Sequence, residues 1–393
     1  MKILFLTSRF PWPPDRGDRL TLFNLMRAFS ESHEVTLLSF ADGSETPEGF
    51  EAIRRVCRRV ETVRLPPLLS WLQAWVGLVL PQPSQVSYYR SGRMQRLVRR
   101  IVEEVRPDAV LPHAIRMAPY GAQPEIPVRV MWLADSLGLA LGRSLPFSPW
   151  WKRPGIAWER RRVDRYSARL SPLYTETWAI SPADLEDMRR IGCVNLALVT
   201  HGVDERLYGV SHRPAPEPRV VFLGNLAVPH NIDGAIFAAR SVWPRVRAAF
   251  PTAKLQLVGA SPAAAVRELA SLPGVEVTGL VPDLLDVWTS ADVLLASLRF
   301  STGIQNKVIE AMAAGVPVVT TPQVAAGVEA RDPEHLRAAE GAEALADAVI
   351  ETLRDPASAA ARVPRAREHV RSRFSWQAVV GRFEHLLAEA RRS

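Results

Sequence analysis

The chain has 393 residues, with 49 Lys and Arg against 41 Asp and Glu, a net charge of +8, a hydrophobic share of 47% and a charged share of 23%. These proportions exclude a disordered or fibrous chain and suit two folded domains of roughly 150–200 residues each. Cys57 and Cys193 stand far apart with no Cys-x-x-Cys spacing, which excludes a disulfide scaffold or structural zinc site and fits a reduced cytoplasm.

The predicted elements alternate from the start. Ile3–Thr7 is a continuous apolar run, as in a parallel strand buried on both faces. A turn at Pro11–Gly17 leads to a helix at Arg19–Glu31 and a strand at Val35–Phe40. A helix at Phe50–Arg59, a strand at Glu61–Leu65 and an amphipathic helix at Met94–Val105 follow. Strands at Ala109–Leu111, Val128–Leu133, Glu176–Ile180 and Leu196–Thr200 alternate with helices at Trp151–Ser171 and Pro182–Ile191. A proline-rich stretch near Gly202–Pro218 marks a boundary. Beyond it, strands at Val220–Leu223, Lys254–Val258, Val275–Thr278, Val293–Ala296 and Val318–Thr320 alternate with helices at Asn231–Ala249, Pro262–Ser271 and Leu284–Thr289. This order predicts two doubly wound α/β units, with ligands outside the carboxyl ends of the strands.

Residues 302–319, Thr-Gly-Ile-Gln-Asn-Lys-Val-Ile-Glu-Ala-Met-Ala-Ala-Gly-Val-Pro-Val-Val, carry the most chemistry. Gly303 opens a turn. Val308, Ile309, Met312 and Ala313 mark the apolar face of a helix over Gln305–Ala314, Gly315 stops it and Pro317 follows. The free N–H groups and partial positive charge at the start of such a helix suit a diphosphate, and Lys307 adds a full charge in the first turn. Only four of the chain's cationic side chains are lysines, at positions 2, 152, 254 and 307. Glu310, one turn on, is placed to accept two hydrogen bonds from a ribose diol. The bland alternative is a buried helix with a glycine stop.

The run Glu-Ala-Met-Ala-x-Gly-x-Pro-Val-Val from Glu310 to Val319 resembles the donor-binding motif of the GT-B glycosyltransferases, in particular glycosyltransferase family 4. The Gly-Ile-Gln-Asn-Lys variant at 303–307 resembles a subgroup of exopolysaccharide-associated sugar transferases. The resemblance covers nearly the whole chain, most strongly Val220–Glu329, then Lys2–Phe40, and only loosely residues 60–200. It implies an acceptor-binding Rossmann-like domain over 1–205, a nucleotide-sugar-binding one over 206–373, and a helix over 374–393 that crosses back to the first. Glu310 would hold the donor ribose. Lys307 and the N–H groups of Gly303, Ile304, Gln305 and Asn306 would hold the diphosphate. The family often has a glutamate where Thr302 stands, an arginine where Asn225 stands, and a lysine near His230 and Asn231; these departures move the phosphate burden to Lys307. Gly279–Val281 resembles the segment whose backbone pairs with the base, and Gly17 the loop glycine that faces the transferred sugar.

His113, after the strand Ala109–Leu111, matches a family histidine that contacts that sugar; a structural histidine is the alternative. Asp135, after Val128–Leu133, is placed to orient or deprotonate an acceptor hydroxyl, or to cap a turn. Asp283 and Asp292 read as a helix cap and a turn residue, and His201 as structural. The donor expected is a UDP- or GDP-linked sugar, with no cofactor and, for want of an Asp-x-Asp motif, no metal; the acceptor is a saccharide or a lipid-linked sugar. A retaining outcome follows from the resemblance, as does closure of the two domains over the substrates. A 2-epimerase of nucleotide sugars, or a non-catalytic partner with a degenerate donor site, is the alternative. No basic stripe with interleaved aromatics is present, so nucleic acid is not expected. The opening run Met1–Leu6 is too brief for a secretory signal, and Leu65–Pro81, the longest apolar stretch, is too broken to cross a bilayer, so a cytoplasmic protein is expected. Trp71 and Trp75 within Leu68–Leu80, and Trp150, Trp151 and Trp158 among the cations of Phe147–Arg162, suit an anionic membrane surface on its inner face; internal packing is the alternative.

Overall fold

The computed structural model describes residues 1–13, 17–77, 80–133, 136–213, 216–301, 303–390 and 392. The chain forms two compact units, one of Met1–Gly202 with Trp376–Ser393 and the other of Val203–Ser375.

The first unit is built on a parallel sheet of seven strands among the described residues: β1 (Lys2–Thr7), β2 (Glu34–Ala41), β3 (Arg59–Arg64), β4 (Ala109–Pro112), β5 (Val128–Trp132), β6 (Glu176–Ala179) and β7 (Leu196–Leu198), in the order β3-β2-β1-β4-β5-β6-β7. The second unit has six parallel strands among the described residues: β8 (Arg219–Leu223), β9 (Lys254–Val258), β10 (Val275–Gly279), β11 (Val293–Ala296), β12 (Val318–Thr320) and β13 (Arg337–Ala338), in the order β10-β9-β8-β11-β12-β13. The central strands are apolar on both faces because helices cover both; Ile3, Leu4, Phe5 and Leu6 in β1 and Val220, Val221 and Phe222 in β8 are almost wholly buried. Each sheet reverses its winding once, between β1 and β4 and between β8 and β11, and each reversal opens a crevice at the carboxyl ends of those strands.

The last helix, Trp376–Ala390, returns to the first unit. Phe383 is its anchor: fully buried, it lies with its ring 5.0 Å from Phe29 and 5.9 Å from Trp178, edge to face in both cases.

Several elements differ from the sequence reading. The helix expected over Phe50–Arg59 ends at Arg54, because Arg59–Arg64 pairs in register with β2 as an edge strand. The stretch from Pro229 to Ala249 is helical throughout, but a π turn at Ala238–Val242 interrupts it before Trp243–Ala249. Pro244 accounts for this, since it has no N–H to return to the carbonyl one turn back. Helices at Pro67–Gly77, Ala342–Arg354 and Pro356–Arg373 were not expected. Asp283 caps its helix by accepting from the Leu285 N–H, and Asp292 accepts from the Arg219 N–H at 2.7 Å, both as read from the sequence. His201 is buried and its ring stacks on Trp376.

Candidate active site

The crevice between β8 and β11 is shaped first by glycine. A side chain on Gly224, at the tip of β8, would meet the Asn231 amide at 2.7 Å. Without one, Asn231 in the helix Pro229–Phe237 folds under the turn, and its Nδ2 donates to the Asn225 carbonyl at 3.1 Å. That bond fixes the amide so that Oδ1 faces the other way. There it accepts from the Lys307 ammonium at 2.7 Å.

Lys307 comes from the other side of the crevice. Strand β11 ends at Ala296, the chain turns through Gly303 with φ 65°, and the helix Asn306–Ala314 begins. Gly327 permits the turn, because a side chain there would lie 2.9 Å from the Gly303 carbonyl oxygen. Gln305 stands at the cap position without a side-chain cap bond, so the first N–H groups of the helix are not satisfied by it. Ile304 and Gln305 are buried, as is every residue from Lys307 to Ala314. At the far end Gly315 closes the helix with φ 83°. Arg367 caps the same end, donating from Nε to the Ala313 carbonyl at 3.0 Å and from Nη2 to the Ala314 carbonyl at 2.9 Å.

The electrostatics follow from burial. Lys307 is 7% and Glu310 8% exposed. Burial lowers the Lys307 amine to about 7, against a smaller rise from the Glu310 charge. It raises the Glu310 carboxyl to about 7, opposed by Lys307 and assisted by Asp204. No ion pair joins the two among the described residues; they couple through space, one helical turn apart. The Lys307 ammonium lies 5.2 Å from the centre of the Phe222 ring, which lends it weak support. His230 is lowered to about 4 by burial and then by Lys307, and is neutral. The crevice thus holds one lysine and one carboxyl poised between charge states, with a neutral amide as the lysine's partner.

Asn225 meets this cluster through its carbonyl. The Asn225 side chain caps its own loop, accepting from the Ala227 N–H at 3.1 Å. Gly279 ends the edge strand β10, two strands away from β8, and Val281 follows it; Gly279 has φ 71° and its carbonyl accepts from the Gly259 N–H. Gly17 opens the helix Gly17–Ser30 beyond β1 in the first unit. His113 follows β4 at that unit's own winding reversal; its N–H donates to the Leu6 carbonyl and its buried ring lies edge-on to Trp132 at 5.1 Å. Thr302 and Asp135 lie outside the described residues. Among the described residues no group of three His, Cys, Asp or Glu side chains is placed to hold a metal ion.

Sequence reading missed Asn231, Phe222 and Arg367 as parts of the site. Asn231 had a visible signal: it stands in the first turn of the helix after β8, where the resemblance expects a lysine.

Residues 217–355 match the family model of group 1 glycosyl transferases. The second unit carries a group 1 glycosyltransferase domain. The chain is thus a glycosyltransferase, and its fold is GT-B. Anabaena HepE in complex with UDP and glucose is 17% identical with a TM-score of 0.71, over 99% of this chain and 100% of its own. The sucrose-phosphate synthase of Thermosynechococcus elongatus is 17% identical with a TM-score of 0.70, over 99% of each chain. WaaG, a glycosyltransferase involved in lipopolysaccharide biosynthesis, is 14% identical with a TM-score of 0.63, over 94% of this chain and 95% of its own. At these identities the likeness carries the fold. No curated protein sequence matches the chain.

Proposed function

We propose that this glycosyltransferase moves a sugar from a nucleotide-diphosphate sugar, bound in the crevice between β8 and β11, to a hydroxyl on a saccharide or lipid-linked acceptor. One observation carries the reading: Lys307 and Glu310 sit buried one turn apart at the start of a helix that faces the winding reversal of its sheet. Burying two ionisable groups there is costly for the unliganded fold, and a diphosphate and a ribose are the chemical groups that would repay it.

In this reading the diphosphate meets the Lys307 ammonium and the N–H groups of Gly303, Ile304, Gln305 and Asn306. An anion beside the amine favours its charged form, so donor binding would draw a proton onto Lys307. As the glycosidic bond breaks, negative charge grows on the leaving phosphate, and Lys307 with the helix N-terminus would stabilise it without a metal. Glu310 accepts from the ribose hydroxyls. The backbone of Gly279–Val281 takes the base, and Asn225 and Thr302 border the donor. Gly17, His113 and Asp135 belong to the sugar and acceptor side on residues 1–205, and Asp135 orients or deprotonates the acceptor hydroxyl. The outcome is retaining, by same-face attack assisted by the leaving phosphate, as in the family 4 subgroup that the 303–319 motif resembles. UDP is the favoured nucleotide because HepE has been solved with UDP and with UDP-glucose. Cell-surface polysaccharide or glycolipid assembly at the inner face of the membrane fits WaaG's role in lipopolysaccharide biosynthesis.

The test is nucleotide release from UDP- and GDP-sugars, with and without a panel of saccharide and lipid-linked acceptors. Lys307→Ala and Glu310→Ala should each lose most of the acceptor-dependent release while keeping a cooperative thermal transition. Near-wild-type turnover in both would sink the assignment, and isomerisation of the UDP-sugar with no acceptor present would point to an epimerase instead.

A further inference from the structure

The helix Pro67–Gly77 inverts the usual pattern of a surface helix. Its buried positions are Ser70 and Gly77, while Leu68 at 86% exposure, Trp75 at 70%, Leu72 and Val76 face water. No charged residue occurs between Leu65 and Tyr89. A second exposed apolar group stands on residues 147–158, with Trp150 at 76%, Trp151 and Trp158.

These segments, far apart in sequence, are joined at one point. Arg162, buried in the helix Arg153–Leu170, donates from Nη2 to the carbonyls of both Gly77 and Gln82. Its Nη1 lies 2.8 Å from Glu159 Oε2, and Glu159 Oε1 accepts the Ser84 N–H at 2.6 Å. The end of the apolar helix is therefore clamped to the same helical turn that displays Trp158. Gly77 permits the fit, for a side chain there would strike Ser87.

The charge around this surface has one sign. Lys152, Arg153, Arg161, Arg165 and Arg169 are exposed. The two carboxylates between Phe147 and Leu170 turn inward, Glu159 to Ser84 and Arg162, and Asp164 towards Arg160. Trp158, Arg161 and Arg165 share a helix face by their spacing.

We propose that this face of the first unit docks on an anionic lipid bilayer, with the leucines and tryptophans entering the boundary between headgroups and acyl chains and the arginines meeting lipid phosphates. An exposed apolar patch of this extent marks an interaction surface, and a one-signed cationic rim beside tryptophans matches an anionic headgroup layer. Among the described residues no helix is long and apolar enough to cross a membrane, so the contact is interfacial. None of these residues belongs to the unit that carries the donor site, so the proposal stands apart from the donor assignment.

The test is co-sedimentation of the full chain with vesicles of phosphatidylcholine alone and with phosphatidylglycerol added. The wild type should bind the anionic vesicles at least tenfold more tightly than the neutral ones. Trp75→Ser with Trp158→Ser should lose at least tenfold on the anionic vesicles, and Arg161→Glu with Arg165→Glu should erase the preference for them. Both pairs lie on the surface, and unchanged circular dichroism and UDP binding would show that the fold and donor site persist. A wild type that stays in the supernatant with anionic vesicles overturns the proposal. So does a patch covered by a second copy, seen as a dimer in analytical ultracentrifugation that Trp75→Ser with Trp158→Ser dissociates without any vesicle binding.

Discussion

Replacing Asn231 by alanine removes the acceptor that Lys307 reaches at 2.7 Å and leaves a buried amine without it. A hydrogen bond to a charged group contributes roughly 1.5–3 kcal/mol, and a pKa unit corresponds to about 1.4 kcal/mol. Loss of a bond that favours the ammonium should therefore lower the Lys307 amine by about one to two units, from its present value of about 7. At about pH 8 the diphosphate would then have to recruit a proton against that added cost, and UDP affinity should fall roughly 10- to 100-fold. At about pH 5.5, where the wild-type amine is largely protonated and the variant's is roughly a quarter to three-quarters protonated, the gap should shrink to a few-fold. Calorimetric titration of UDP against wild type and Asn231→Ala at both pH values reads this directly. Asn231→Asp adds a second sign: a carboxylate holds the ammonium better yet repels the diphosphate, so UDP should bind more weakly while the apo protein melts no earlier. Equal affinity of wild type and Asn231→Ala at both pH values would refute the idea that Asn231 positions and charges Lys307.

Arg367→Ala should uncap the helix Asn306–Ala314 and cost about 2–3 kcal/mol, since two carbonyls lose a charged donor; urea unfolding of the second unit measures it, and an unchanged midpoint would show the cap to be idle. Stability of the apo protein should dip near pH 7. The Glu310 carboxyl is raised to about 7, so its contribution is present below its ordinary range and is lost as pH rises through 7. The Lys307 amine is lowered to about 7, so its contribution is present well above 7, beyond the ordinary lysine range, and is lost as pH falls through 7. Melting curves across pH should show the dip in the wild type and lose its acid limb in Glu310→Gln; a flat profile would contradict the burial argument.

How far the sequence carried depends on which residues did the signalling. Strands β1, β8 and β11 were legible because double-sided burial demands unbroken apolar runs, and the helix Asn306–Ala314 was legible because Gly303, Gly315 and Pro317 punctuate it. The helix Pro67–Gly77 was not, because its apolar residues face water and no amphipathic period survives. Pro356–Arg373 was hidden by Pro364 in its interior. The site divides in the same way. Lys307 and Glu310 declare themselves by local spacing. Their partners do not: Asn231 is 76 residues from Lys307 in sequence, and Arg367 is 54 from Ala313. Those contacts arise only once β8 and β11 lie side by side, and no local pattern encodes strand order.

The central claim is that Lys307 and Glu310 form a donor site for a nucleotide-diphosphate sugar. Thermal unfolding with UDP, GDP, dTDP and ADP in turn, repeated with Glu310→Ala, tests it most directly. At about a hundred times its dissociation constant a ligand adds roughly 2.7 kcal/mol to stability. UDP should raise the transition by a corresponding amount in the wild type and leave Glu310→Ala unmoved. A wild type indifferent to all four nucleotides, or a Glu310→Ala protein stabilised as much as the wild type, would contradict it.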